Sequence, residues 1–268
     1  MKELKFNIKY ILQKKEFYIA ILASLLINLF QVCLCVCKFN EYPSHLIPTS
    51  EYQFILYNVN VALNSIIILV FPILFSMIFS DSTFLENQRK TTNLLHTRLN
   101  LKKNIIIRTI LSFVISFIVC FICFMYNYLL LRIIYGTGNL ITPFQDTAFL
   151  LHKSERFFLD NIRIANPKLF IILISASVST IIGFLSMLSY LISTFFKQKI
   201  VIYFFPLIFL IMWETFISFL EKPTLSFITM LQPFSYYSIF NYIVACLILL
   251  FINIVLLTIK LCEKDVLL

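Results

Sequence analysis

Three histidines, seven cysteines and thirteen acids are the side chains with which this 268-residue chain could do chemistry. His45, His96 and His152 sit in three different connectors, so no two are placed to work as acid and base. Cys33-x-Cys35-x-Cys37 has the look of a metal box, but helix positions two apart point to nearly opposite sides. Cys120-x-x-Cys123 has neither a second pair nor a nearby His, and both groups read as small apolar packing residues. The odd cysteine count, with nearly all members inside or at the ends of apolar runs, argues against a disulfide framework. The only glycines are Gly136, Gly138 and Gly183, too few for a phosphate-cradling loop, so the chain has no ATPase site of its own. There is no HExxH, no GxSxG and no pair of acids in one apolar run. An enzyme is not expected, and neither a catalytic residue nor a bound metal is assigned.

Three polar residues inside the apolar runs are candidates for a route through the membrane. Glu214 lies 15 residues after Lys199, about 22 Å along a helix. It reads either as a polar group on a substrate path or as an interfacial acid that, with Trp213, snorkels to water. Asn60 and Asn64, four residues apart, share a helix face. They could line the same cavity as Glu214 or hydrogen-bond a neighbouring helix.

The elements that must position these residues are apolar helices. The chain is 60% hydrophobic and only 13% charged, where a soluble domain carries about 25% charge. Runs of roughly 20 apolar residues cross roughly 30 Å of hydrocarbon as helices. Six spans are expected, at 17–37, 59–79, 105–131, 169–193, 200–220 and 240–261. The fold class is all-α, a single polytopic transmembrane domain over 1–268. Fifteen of the 22 Lys and Arg residues fall in the N-tail, the 81–104 connector with Arg108, the Lys197/Lys199 hairpin and the C-tail. The other seven lie opposite, which puts both termini and that connector in the cytoplasm. The net charge of +9 reflects this bias, not nucleic-acid binding, because the basic residues flank spans and form no separate domain.

Residues 2–16 place Leu4, Ile8, Ile11 and Leu12 at helical spacing, opposite Lys5, Lys9, Gln13 and Lys14. That pattern fits an interfacial helix on anionic lipid, or a basic tail that only sets topology. The 132–168 connector forms the largest extracytoplasmic loop. The segment 221–239 is half apolar and punctuated by Pro223 and Pro233, which suits short helices dipping back among the spans. Ser175, Ser179, Gly183 and Ser186 form a small-residue stripe, a packing seam. Pro72 and Pro206 are expected to kink the second and fifth spans.

The 81–104 connector contains a capping box. The Thr83 hydroxyl can accept from the Glu86 N–H, and the Glu86 side chain can reach back to the Thr83 N–H. A short cytoplasmic helix over 84–96 is expected, with Asn100 capping the third span. A bare linker would need far fewer residues, so this connector is presented to a partner or to the membrane surface.

On these residues the chain resembles the permease subunits of type-two ABC exporters. Their cytoplasmic connector reads Phe, Glu, a Gly-Thr pair, Leu-Leu, then Thr and a basic residue. Here stand Phe84, Glu86, Lys90-Thr91, Leu94-Leu95, Thr97 and Arg98, with Lys90 in place of the usual Gly. Arg108 stands where a Lys often opens the third span, and Leu231-Gln232-Pro233-Phe234 resembles the stretch before the sixth. The resemblance implies a connecting helix before the first span, a coupling helix between spans two and three, and re-entrant helices between spans five and six. It also implies a cytoplasmic ATPase dimer as partner, holding the ATP and Mg, and a second permease subunit, identical or related. Phe84, Glu86, Thr91, Leu94, Leu95 and Arg98 would take up the ATPase stroke. Asn60, Asn64 and Glu214 would lie along a route lined by spans two and five, for a peptide, antibiotic or lipid. The rival classes are a secondary transporter or channel, and a non-transporting sensor or assembly protein. The first predicts inverted repeats or membrane charges beyond the single Glu214.

Overall fold

The computed structural model describes residues 2–40, 50–56, 61–80, 82, 101–136, 158–196, 198–232 and 237–262. Among these, regular structure is helical throughout. The elements are α1 (Lys2–Leu12), α2 (Lys15–Phe39), α3 (Ser50–Gln53), α4 (Val61–Met77), α5 (Leu101–Tyr135), α6 (Asp160–Ala165), α7 (Pro167–Ser193), α8 (Lys199–Phe219), a 3-10 turn (Pro223–Leu225), α9 (Phe227–Leu231) and α10 (Ile239–Cys262). Five helices, α2, α5, α7, α8 and α10, are long and apolar enough to cross a membrane. The chain is a multi-pass membrane protein on that ground.

The boundaries have local causes. The Asn166 side chain accepts from the Leu169 N–H at 3.2 Å and caps α7, with Pro167 in its first turn, where a missing N–H costs nothing. At the far end of α5, Gly136 takes φ +68° and its N–H returns to the Arg132 carbonyl at 3.0 Å, a left-handed helix stop. Pro72 and Pro206 lie inside α4 and α8, each removing one backbone donor.

The bundle is organised around α7. This helix is buried along almost its whole length and packs against α4, α5, α8 and α10. Its stripe of Ser175, Ser179, Gly183 and Ser186 is buried, as the sequence pattern indicates. At Gly183 an added Cβ would stand 3.0 Å from the Phe113 ring and 3.2 Å from the Phe113 carbonyl oxygen, so only glycine lets α5 come this close. Three residues on, the Ser116 hydroxyl on α5 reaches the Ser186 hydroxyl at 2.7 Å and the Phe75 carbonyl of α4 at 3.0 Å. The Ser189 hydroxyl donates to the Ile202 carbonyl of α8 at 2.6 Å. Small residues thus draw backbones together, and the Ser116, Ser186 and Ser189 hydroxyls bond carbonyls or one another where lipid offers no partner. The outward faces of α8 and α10 show Ile200, Phe204, Ile208, Phe240, Leu247 and Phe251, the surface hydrocarbon covers.

Helix ends meet in sets. Glu16 at the start of α2 pairs with Lys199 at the start of α8, 3.1 Å apart. Lys260 near the end of α10 reaches the Thr194 carbonyl just after α7, at 3.4 Å. The start of α5 holds α1. These ends share one face of the bundle, its N-terminal end.

In the second apolar run the described helix covers Val61–Met77 and residues 78–80 turn, so it ends two residues before the expected 79; residues 59 and 60 lie outside the described residues. In the N-tail, the sequence pattern puts Ile11 and Lys14 on opposite outward faces of one amphipathic helix. Both are instead buried, at 1% and 6% exposure, Ile11 on the face of α1 that Asn7 bonds to α5 and Lys14 just after the helix. The expected third span, 105–131, lies within α5, which is described from Leu101.

Gly183→Val tests the seam. It is expected to cost roughly 1–3 kcal/mol by overpacking, read as a lower thermal midpoint in detergent. An unchanged midpoint would mean that α5 and α7 are not held at this spacing.

Candidate functional site

The connector residues Phe84, Glu86, Thr91, Leu94, Leu95 and Arg98 lie outside the described residues, as do Asn60 and the expected 84–96 helix. Asn64 falls in the first turns of α4, with only its backbone described. What the structure defines is the helix into which the connector leads, and three polar clusters.

The first cluster is at the N-terminal end. Arg108 on α5 is 2% exposed, and its Nε donates to the Asn7 side-chain oxygen of α1 at 2.9 Å. The Asn7 amide in turn donates to the Asn104 side-chain oxygen at 2.9 Å. Asn7 and Asn104 are themselves buried. A buried guanidinium is costly unless its donors are engaged, so this cluster fixes α1 against the first two turns of α5. The sequence pattern places Arg108 at the entrance of the third span but gives it no partner.

The second cluster lies well along α2 and α5, where the chain returns as α3 and the turn 54–56. The Gln31 amide donates to the Gln53 carbonyl at 2.7 Å. The Asn127 amide donates to the Gln31 side-chain oxygen at 2.8 Å, and the Asn127 oxygen accepts the Ile55 N–H at 3.2 Å. One turn below Gln31, the Asn28 amide donates to the Cys123 carbonyl at 3.1 Å, and Ser24 and Cys123 touch through oxygen and sulfur at 3.1 Å. Glu51, 5% exposed, accepts from the Tyr128 hydroxyl at 3.3 Å and from Ser50 at 3.2 Å. Two amide side chains therefore satisfy a backbone that leaves helical form among apolar helices. Irregular backbone tolerates such depth only with these partners. Phe54 packs edge-on to Phe124 and Tyr128 beneath it.

The third cluster surrounds Glu214. Its carboxylate accepts a hydrogen bond from Ser226. Ser226 is the N-cap of α9, its oxygen accepting the Thr229 N–H at 3.1 Å. The neighbouring Trp213 donates its ring N–H to the Leu225 carbonyl at 3.1 Å, and Phe227 lies 5.0 Å from the Trp213 ring. The Trp213-Glu214 pair therefore fastens the 3-10 turn and α9 onto α8. On the far side of α9, the Tyr237 hydroxyl donates to the Met230 carbonyl at 3.4 Å. Burial pushes the Tyr237 phenol well up, so it remains a neutral donor.

The cysteines divide by helix face. Cys35 is buried while Cys33 and Cys37 are exposed, the geometry that separates positions two apart. Cys120 and Cys123 are both buried. Among the described residues no group of three or more His, Cys, Asp or Glu is close enough to hold a metal ion. Chemically the clusters can hold helices in register and cap broken ends.

Sequence reasoning confined to Glu214, Asn60 and Asn64 misses the amides Asn28, Gln31 and Asn127. The signal is there, because an amide within an apolar run has no partner in lipid.

A double-mutant cycle tests the second cluster. Gln31→Leu and Asn127→Leu are expected to couple by about 0.6–1.7 kcal/mol in detergent unfolding. Additive losses would mean the pair does not hold the 53–55 backbone.

Compared with protein-family models, with curated proteins and with solved structures, the chain has no match in any of the three.

Proposed function

We propose that the chain is the membrane-spanning permease subunit of an ATP-driven exporter of the type-two ABC class. The observation that carries this reading is the 81–104 connector. Its Phe84, Glu86, Thr91, Leu94-Leu95 and Arg98 follow the coupling pattern, and it runs directly into α5. The packing supports a role for that junction. Asn104 and Arg108, on the first two turns of α5, hold α1, so a displacement of the connector would be passed to two elements at once.

In this reading α4 belongs to the second span and completes the six, its described part being Val61–Met77. Both termini face the cytoplasm, α1 is the connecting helix, and the 3-10 turn with α9 forms the re-entrant pair. A separate ATPase dimer binds ATP and Mg and seats the 84–96 helix of each permease in a groove. The chain itself binds no cofactor. Six spans make half a pathway, so two permease subunits are required, in a bacterial cytoplasmic membrane. Export of a peptide, antibiotic or lipid, with self-protection against an antimicrobial peptide as one use, fits a compact permease. Glu214, bonded by Ser226, holds α9 to α8, and with Asn60 and Asn64 it is proposed to lie along the substrate route.

Purification from cells expressing the neighbouring reading frames is expected to recover a P-loop ATPase with the chain. Leu94→Asp/Leu95→Asp is expected to leave insertion intact and to abolish stimulation of that ATPase by substrate. Full stimulation in the double variant would contradict the proposed seat.

A further inference from the structure

The three faces of α1 have different surroundings. Asn7 and Ile11 are buried against the bundle, and Lys14 just after the helix is buried with its ammonium over the Tyr10 ring. Leu4, Ile8 and Leu12, four residues apart, remain 43%, 40% and 51% exposed. Lys5 and Lys9 are exposed and follow Leu4 and Ile8 by one position each, which is about 100° further round the helix. The Asn7–Asn104–Arg108 bonds prevent α1 from rolling to hide the apolar stripe. The stripe is therefore presented at the N-terminal end of the bundle, with ammonium groups along one border. Glu16 does not neutralise that border, because it pairs with Lys199.

We infer that α1 is a docking surface for anionic phospholipid, preferred over zwitterionic phospholipid. Leu4, Ile8 and Leu12 enter the acyl boundary, while Lys5 and Lys9 extend their stems to the headgroup phosphates. The occupant is lipid because this geometry pairs a narrow apolar stripe with a cationic border at the level where spans begin. A polar protein groove would satisfy the lysines but not the leucines. The inference needs the N-terminal end to lie at the membrane surface. It does not need an ATPase partner.

Each lysine near an anionic surface shifts partition by about fivefold. The full-length chain would be reconstituted in nanodiscs of equal phosphatidylglycerol and phosphatidylcholine, released into detergent, and its retained lipids counted by native mass spectrometry. Phosphatidylglycerol is expected to be retained preferentially, and Lys5→Gln/Lys9→Gln to reduce that preference about fivefold or more. Lys5→Arg/Lys9→Arg should keep it, and so should Lys168→Gln/Lys222→Gln at the opposite end. No preference in the unaltered chain, an unchanged preference in the Gln pair, or an equal fall in the Lys168/Lys222 pair would overturn the inference. A photoactivatable phosphatidylglycerol covers the case in which the Gln pair fails to fold. In the unaltered chain it should label residues 4–12, and labelling confined to the long helices would overturn the docking surface. Excess inorganic phosphate should leave that labelling unchanged; its loss would point to a free-phosphate site instead.

Discussion

Hydrocarbon offers no hydrogen-bond partner, and the architecture of this chain follows from that constraint. A polar atom carried into the bundle is costly unless its need for a partner is met within the protein. Ser116, Ser186 and Ser189 meet it with carbonyls and with one another, and so bind α4, α5, α7 and α8 together. Gln31 and Asn127 meet it for the backbone of 53–55, which allows a connector to pack inside the bundle instead of crossing its surface. Arg108 meets it by recruiting Asn7 from a helix outside the spans. The same need that closes the core thus attaches the N-terminal helix.

That attachment gives the proposed function a physical route. A connector pressed by a motor acts on whatever its next helix is bonded to. Here the next helix is α5, 35 residues long and about 50 Å end to end, and it touches α1 at one end and α3 near the other. A movement of Leu101–Arg108 would therefore reach the lipid-facing helix directly and the 50–56 segment along a continuous rod. Glu214 and Trp213 hold the 3-10 turn and α9 on α8, which also begins at the N-terminal end.

Much of the fold was legible because it depends on runs and periods. Five membrane-length helices lie where apolar runs stand in the sequence, and the stripe at 175, 179, 183 and 186 is a seam, since small residues at helical spacing serve close approach. The cysteine spacing also translated directly into opposite helix faces. What was illegible depends on pairing across distance. Gln31 and Asn127 are 96 positions apart, and Asn7 and Arg108 are 101 apart. No local pattern states which amide meets which. The period of Leu4, Ile8 and Leu12 assigns Ile11 to the same apolar stripe, but Ile11 lies one turn after Asn7, on the face that Asn7 bonds to the bundle. The seat at Phe84, Glu86, Leu94 and Leu95 rests on the sequence, and the structure contributes the helix to which it is joined.

The central claim is that a separate ATPase acts through the 84–96 segment. Its most direct test is a single cysteine at position 94 in an otherwise cysteine-free chain, crosslinked in membranes from cells carrying the native gene neighbourhood. One adduct containing a P-loop ATPase is expected, and none from a cysteine at position 222. An absent adduct at 94, or equal adducts at 94 and 222, would contradict the claim.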